Sequence, residues 1–230
     1  MQDGPLPQGS AKTVAVREMF DAIAPRYEFL NKIMTFGLDR RWRQRAVRDL
    51  RLPAGSTVLD VAAGTGDFTR ELTKQGHHSV ATDLSYGMLH AGHEMPSRVQ
   101  ADALHMPFAT GAFDGITCGY ALRNFTDLAG TFKEMGRVVR AGGRISLLEV
   151  AEPSGGIWRA GFRFWFRRMV PFIGGLLSDR SAYRYLPKST AYLPPTDVMI
   201  AQLNEAGFVA VNHRFVLGGL SQQFVATRGS

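Results

Sequence analysis

Cysteine is almost missing from this chain. Cys118 stands alone among 230 residues, so no internal disulfide can form and a disulfide-stapled secreted scaffold is excluded. A reducing, intracellular setting is expected. The six histidines are scattered, and no cluster of Cys and His with metal-ligand spacing is present, so no metal is expected. Acids are scarce relative to bases, with 20 Asp+Glu against 27 Lys+Arg and a formal net charge of +7. That surplus suits an acidic partner surface, either nucleic acid or anionic lipid. No apolar run approaches the roughly 18 to 20 residues that a spanning helix needs. The longest candidate, residues 169–177, contains Pro171 and two glycines, so the protein is expected to be soluble or to sit on a membrane without crossing it. Residues 1–10 are polar and rich in Pro and Gly, without a basic region leading into an apolar stretch. They do not read as a signal peptide, and residues 1–12 are expected to form a disordered tail.

What is present is an ordinary globular composition, 45% apolar and 10% aromatic, of a length that suits one domain over residues 13–230. Residues 13–50 read as a helical cap. Val16, Met19, Phe20 and Ile23 recur at spacings of three and four, Pro25 interrupts them, and Tyr27, Leu30, Ile33 and Met34 resume an apolar face. A further helix from about Asp39 turns Trp42, Ala46, Val47 and Leu50 inward, with Arg40, Arg41, Arg43, Arg45 and Arg48 expected on its solvated outer face.

After Pro53-Ala54-Gly55 the pattern alternates between strand and helix. Strands are expected at 58–61, 79–82, 98–101, 113–121 and 144–150, with helices at 67–75, 86–95 and 131–139 and Ser85 as a cap. A helix at 197–206 and strands at 208–217 and 222–227, joined by a hairpin at Gly218-Gly219, complete the chain. This alternation argues for an α/β fold with a parallel sheet and helices on both faces. Residues 153–195 break it as an aromatic and basic insertion. At about 100° per residue, Trp158, Phe162, Trp165, Phe166 and Met169 share one face flanked by Arg159, Arg163 and Arg167. That pattern suits an interfacial helix or a lid over a lipid-like substrate, an ordinary helix packed on the sheet, or a surface that tracks nucleic acid.

The first strand runs into Asp60-Val61-Ala62-Ala63-Gly64-Thr65-Gly66-Asp67. Gly64 and Gly66 permit a tight turn and a close backbone approach to a ligand. A pyrophosphate is disfavoured, because position 69 is Thr rather than a third glycine and Asp67 occupies the helix N-terminus where the anion would sit. The loop therefore suits a cationic nucleoside without phosphates, and S-adenosyl-L-methionine is such a ligand. Asp83, at the end of the second strand, can accept both ribose hydroxyls. Asp102 can accept from the adenine amino group. Asp60 either binds the methionine ammonium or orders the loop.

Several motifs resemble those of the ubiquinone/menaquinone biosynthesis C-methyltransferase family. They are Met19-Phe20-Asp21-Ala22-Ile23-Ala24-Pro25-Arg26-Tyr27 with Asn31 and Phe36-Gly37, Ala121-Leu122-Arg123-Asn124-Phe125, the helix with Glu134-Met135 and Arg137-Val138 followed by Gly142-Gly143, Leu148-Glu149, and Tyr183-Arg184-Tyr185-Leu186 with Ser189 and Pro194. The likeness covers residues 14–220. It implies a class I S-adenosylmethionine-dependent methyltransferase fold, Rossmann-like, with a seven-stranded sheet whose last strand is antiparallel. It also implies C-methylation of a prenylated quinol, demethylmenaquinol or the corresponding benzoquinol. Carried over residue by residue, it implies cofactor contacts at Thr65, Asp83, Asp102, Ala103 and Gly119. The chain departs from the family where Ala63 replaces a common glycine and where Cys118-Gly119 stands in place of a frequent Ser, so the Gly119 contact is expected to be backbone only.

Methylation at a ring carbon requires ionisation of an adjacent hydroxyl and near-collinear carbon, methyl and sulfur. Arg123 is the candidate to stabilise the phenolate and Asn124 to orient the hydroxyl, unless the pair simply closes a turn through an ion pair with Glu149. Asp67 is the candidate base, followed by Tyr185, Tyr183, Tyr27 and His105. The resemblance implies a cytoplasmic protein, peripheral on the inner face of the cytoplasmic membrane. An RNA methyltransferase is the rival class, and it is disfavoured because no Asn-Pro-Pro-Tyr-like sequence follows the fourth strand and no separate RNA-binding module is appended. No nucleic-acid partner is expected.

Overall fold

A computed structural model describes residues 9–28, 37–93, 95–151, 155, 189 and 192–230. Seven strands form one sheet in the order β3-β2-β1-β4-β5-β7-β6. They are β1 (Thr57–Val61), β2 (His78–Asp83), β3 (Arg98–Gln100), β4 (Phe113–Gly119), β5 (Val139–Val150), β6 (Phe208–Val216) and β7 (Ser221–Arg228). The first five are parallel, and β7 lies between β5 and β6, antiparallel to both. The described helices are α1 (Gly9–Ile23), α2 (Asp39–Asp49), α3 (Asp67–Lys74), α4 (Tyr86–Ala91), α5 (Leu128–Val138) and α6 (Thr196–Glu205).

The pleat of β1 decides which face each residue serves. Leu59 and Val61 join Ile116, Ile145, Leu147, Phe132, Met135 and Leu203 in the larger core, beneath α5 and α6. Val58 turns to the other face, where Ala46 and Val47 of α2 and Leu50 at its C-terminal end meet Phe68 and Leu72 of α3. Asp60 shares that second face with Val58, which puts a carboxylate inside the sheet–helix layer.

Several boundaries differ from the sequence expectation for local reasons. Helix α1 begins at Gly9 rather than Thr13, and Lys12 within it is buried. Helix α4 ends at Ala91 instead of 95, and a Cβ at Gly92 would meet Thr65 O at 2.8 Å, so the chain there presses against the glycine loop. Helix α5 starts three residues early because Asp127 caps it, accepting from Gly130 N at 2.8 Å. Arg43 is not on the outer face of α2. It is buried and pairs with Asp39 in its own helix and with Asp67 on α3, at 3.1 Å for the latter. The connection from β6 to β7 is a short 3-10 turn at Leu217–Gly219 in which Gly218 takes φ +64°. The expected lid at 153–195 lies outside the described residues except at 155, 189 and 192–195.

Candidate functional site

Strands β1 and β4 are neighbours, and both leave the sheet through a left-handed residue. Ala62 has φ +54° and Tyr120 φ +60°, conformations that cost a non-glycine residue of order 1–3 kcal/mol. They are held by the hydrogen bonds next to them, Ala63 N to Thr82 O at 3.0 Å and Tyr120 N to Leu148 O at 2.7 Å. The two chains part there and open a cavity of about 820 Å³, its mouth included, at the C-terminal ends of β1, β2 and β4. Helix α1 covers it with Thr13, Val16, Arg17 and Phe20, and Tyr27 closes the same side. The Tyr27 ring meets Phe20 edge to face at 6.1 Å. In an open parallel sheet this is the crevice where ligands bind.

Asp83 terminates β2 and lines the cavity. Its Oδ2 accepts from Gly64 N and its Oδ1 from Ser85 N, both at 2.8 Å, so the carboxylate is locked between the glycine loop and the N-terminus of α4. Burial pushes its pKa up to about 6, against the pull of those N–H donors and with help from nearby Asp21. Gly64 takes φ +57°, and a Cβ on it would meet Met88 Cε at 3.1 Å and the Tyr27 ring at 3.8 Å. Asp102 and Ala103 line the adjoining wall. Asp102 also closes its own turn, accepting from Leu104 N at 3.0 Å.

Of the predicted cofactor residues, Gly64, Asp83, Asp102, Ala103 and Gly119 therefore meet in one cavity. Thr65, Gly66 and Asp60 do not line it. Gly66 takes φ +87° as the cap of α3, and the Met95 side chain occupies the space where its Cβ would be. Asp60 is buried, with both carboxylate oxygens engaged by neighbouring elements. Its Oδ2 accepts from Thr69 N at 2.9 Å and Thr69 Oγ1 at 2.8 Å, and its Oδ1 accepts from Thr117 Oγ1 at 3.0 Å. Burial outweighs these bonds and pushes its pKa up to about 7. The carboxylate ties β1 to β4 and to the start of α3. At Gly119 the missing side chain serves packing, since a Cβ would come within 2.6 Å of the Phe68 ring.

The catalytic candidates divide more sharply. Asn124 lines the cavity, on the 3-10 turn Leu122–Asn124 that follows β4. Arg123, next to it, does not. Its guanidinium turns inward, with Nη1 2.5 Å from Glu149 Oε1 and 2.6 Å from Tyr120 O, and Nε 3.1 Å from Ser189 Oγ. This is the ion pair with Glu149 that the sequence leaves open as the alternative for Arg123, and Glu149, near the end of β5, is wholly buried. Asp67, the candidate base, is also held in ion pairs. It lies between Arg43 and Arg70, the latter at 2.5 Å, and is off the cavity lining. His105 is exposed and also off the lining. Tyr183 and Tyr185 fall outside the described residues.

Two contributors were not assigned a role from sequence. Asp21 on α1 accepts from Ser85 Oγ at 2.5 Å and Gly87 N at 2.9 Å, so α1 is fastened to the turn that holds Asp83. Thr82, buried beside Asp83 on the lining, has a hydroxyl with no hydrogen-bond partner among the described residues. A spare buried hydroxyl, two carboxylates and apolar walls from Val16, Phe20, Met88 and Phe125 suit a nucleoside carrying positive charge, and the carboxylates disfavour a pyrophosphate. S-adenosylmethionine fits this donor and acceptor set.

A doubly wound sheet with β7 inserted antiparallel between β5 and β6, and a nucleoside cavity walled by acids at its switch point, define a class I methyltransferase fold. Solved structures agree on the fold. A phosphoethanolamine N-methyltransferase 2 from Haemonchus contortus, in complex with phosphomonomethylethanolamine and S-adenosylhomocysteine, superposes with a TM-score of 0.68 at 13% identity, over 93% of this chain and 60% of that one. A possible histamine N-methyltransferase from Thermotoga maritima gives 0.65 at 16% identity, over 92% and 99%. The chain belongs to the ubiE/COQ5 methyltransferase family, whose model matches residues 8–228. It is 38% identical to the ubiquinone/menaquinone biosynthesis C-methyltransferase UbiE of Geotalea uraniireducens, over 93% of this chain and 96% of the relative. It is 41% identical to the demethylmenaquinone methyltransferase of a Roseiflexus species, over 92% of each, and 38% identical to that of Mycobacterium marinum, over 89% and 90%.

Proposed function

We propose that this protein transfers a methyl group from S-adenosylmethionine to a ring carbon of a prenylated quinol, with demethylmenaquinol as the acceptor. The observation that carries the reading is the acid-walled nucleoside cavity in a chain whose family methylates quinone precursors, as the names of its relatives state. The corresponding benzoquinol is the second reading, supported by the double name of the Geotalea relative.

When bound, the cofactor supplies an electrophilic methyl on a sulfonium. The protein's own part is to bind, orient and exclude water. Asp83, already locked by two N–H donors, offers its remaining lone pairs to the ribose hydroxyls. Asp102 and Ala103 serve the adenine. The position of Asn124 on the lining, at the substrate side after β4, supports its role in hydrogen bonding the acceptor hydroxyl as the ring gains nucleophilic character. Phe20, Tyr27 and Phe125 furnish apolar walls that keep water from the reacting centre. Collinearity then depends on how rigidly the post-β4 turn is held.

Peripheral contact with the inner face of the cytoplasmic membrane is part of this proposal, since the acceptor is lipid-soluble. No helix among the described residues is long and apolar enough to cross a membrane. On α2, Arg40, Arg41, Arg45 and Arg48 are exposed and have no carboxylate partner among the described residues, a face suited to anionic headgroups.

The deciding experiment follows label from S-adenosylmethionine into demethylmenaquinol, in detergent under reducing conditions, with a demethylated benzoquinol and bulk RNA in parallel. Label in the naphthoquinol is the expected result. Label in both quinols means one enzyme serves both pathways, and label in RNA alone overturns the reading.

A further inference from the structure

Helix α1 is fastened at two points on either side of the glycine loop. At Asp21 it binds the turn after β2, as described above. Nine residues earlier, roughly 14 Å along the helix at 1.5 Å per residue, Lys12 binds the turn after β4. Since β1 lies between β2 and β4 in the sheet, the helix spans the cavity from the cofactor acid to the acceptor side.

The environment of Lys12 is unusual for its chemistry. It is only 4% exposed. Its ammonium donates to Arg123 O at 2.9 Å and to Phe125 O at 2.8 Å, and it sits 3.7 Å from the centre of the Tyr192 ring. No carboxylate among the described residues pairs with it. Burial pulls its pKa down to about 8. Burying an ammonium with no carboxylate partner among the described residues carries a desolvation cost that its two carbonyl acceptors and the ring must offset, a cost that an apolar side chain would not incur. What the charge supplies is direction. The two carbonyls it holds flank Asn124, and the side chain of Arg123 ties the same turn to Glu149, Tyr120 O and Ser189. The short turn is held by two cations, and its Asn124 and Phe125 line the cavity.

We propose that Lys12 is a positioning residue for methyl transfer, whose ammonium fixes the 122–125 turn and thereby aims Asn124 and Phe125 at the acceptor ring. The proposal rests on the methyltransferase reading above. It assigns Lys12 to the acceptor side and leaves cofactor affinity to Asp83 and Asp102.

The test compares K12M and K12R with the wild type in the full chain. Cofactor affinity is measured by calorimetry, turnover with the quinol acceptor by label transfer, and amide exchange over residues 122–126 with S-adenosylmethionine bound. K12M is expected to lower kcat by about ten- to a hundredfold, the range that a misplacement of about 1 Å produces. Its cofactor dissociation constant should stay within about threefold of the wild type, and exchange at Asn124 and Phe125 should quicken. K12R retains N–H donors for the same carbonyls and should recover most of the lost turnover. If methionine prevents folding, K12L, which also lacks a donor, takes its place with the same expectations. An unchanged kcat in K12M overturns the proposal. So does an equal fall in turnover and cofactor affinity without rescue by arginine, which marks a structural lysine. If the wild type methylates no quinol, the functional reading fails by itself, and the exchange rates still decide whether Lys12 fixes the turn.

Discussion

Glu149 lies fully buried at the end of β5, and Arg123 is its ion-pair partner. Breaking a buried pair by removing one member leaves an uncompensated charge and costs about 3–5 kcal/mol. R123A should therefore lower the melting temperature by on the order of 10 °C. The double variant R123M/E149Q, which removes both charges, should recover part of that loss in the same thermal scan. A wild-type melting temperature in R123A together with lost turnover returns the guanidinium to the acceptor. Asp83 makes a different prediction, since its role is to accept. D83A should abolish cofactor binding by calorimetry and keep a cooperative thermal transition. Its pKa near 6 means that the carboxylate gains a proton as pH falls through 6, so cofactor affinity in the wild type should weaken between pH 7 and pH 5. Fold stability runs the opposite way for this group. Between the ordinary carboxylate pKa and 6 the folded state binds more protons than the unfolded one, so the contribution of Asp83 to stability falls as pH rises across that window and is level above it.

At the scale of elements, α1 works as a strut across the cavity rather than as a separate cap. Its contact with α4 is close enough to test. A Cβ at Gly87 would lie 2.8 Å from Asp21 Oδ1 and 3.1 Å from the Asp21 Cα. G87A should push α1 away from the Asp83 turn and weaken cofactor binding several-fold, while the melting temperature changes little. A cofactor affinity equal to the wild type shows that the strut tolerates the shift. The β-α-β alternation, the sheet class and the gathering of Asp83, Asp102 and the glycine loop were legible in the sequence, because each depends on local periodicity or on a residue that must end a strand. The Arg123–Glu149 pair was one of two readings open in the sequence, whereas the inward turn of Arg43 and the pairing of Asp67 were not legible. A charged side chain on a helix face looks solvated or catalytic until its counter-ion is known, and Asp67 and Arg70 come from another element or from the next helical turn. Lys12 was read as tail, since nothing near it in sequence reveals the carbonyls 111 and 113 residues away.

The whole molecule carries a formal charge of +7, and part of that surplus is concentrated on the outer face of α2. At about 100° per residue, Arg40, Arg48, Arg41 and Arg45 fall within roughly 140° of the helix circumference. R41Q/R45Q/R48Q should reduce co-sedimentation with anionic lipid vesicles by about tenfold or more at low salt and leave cofactor affinity unchanged, since juxtamembrane basic residues contribute about 1 kcal/mol each. Equal sedimentation of variant and wild type removes α2 as the docking face.

The place of β7 in the sheet has a consequence for how the protein is made. It is the last of the seven strands along the chain yet the sixth across the sheet, hydrogen-bonded on both edges. During synthesis β6 has no strand to pair with until β7 has left the ribosome. The edge of β5 that pairs with β7 waits uncovered for the same interval. Residues 221–228 must therefore be free to pair before the sheet can close, and a nascent chain stalled short of them presents the unpaired edges of β5 and β6 to chaperones.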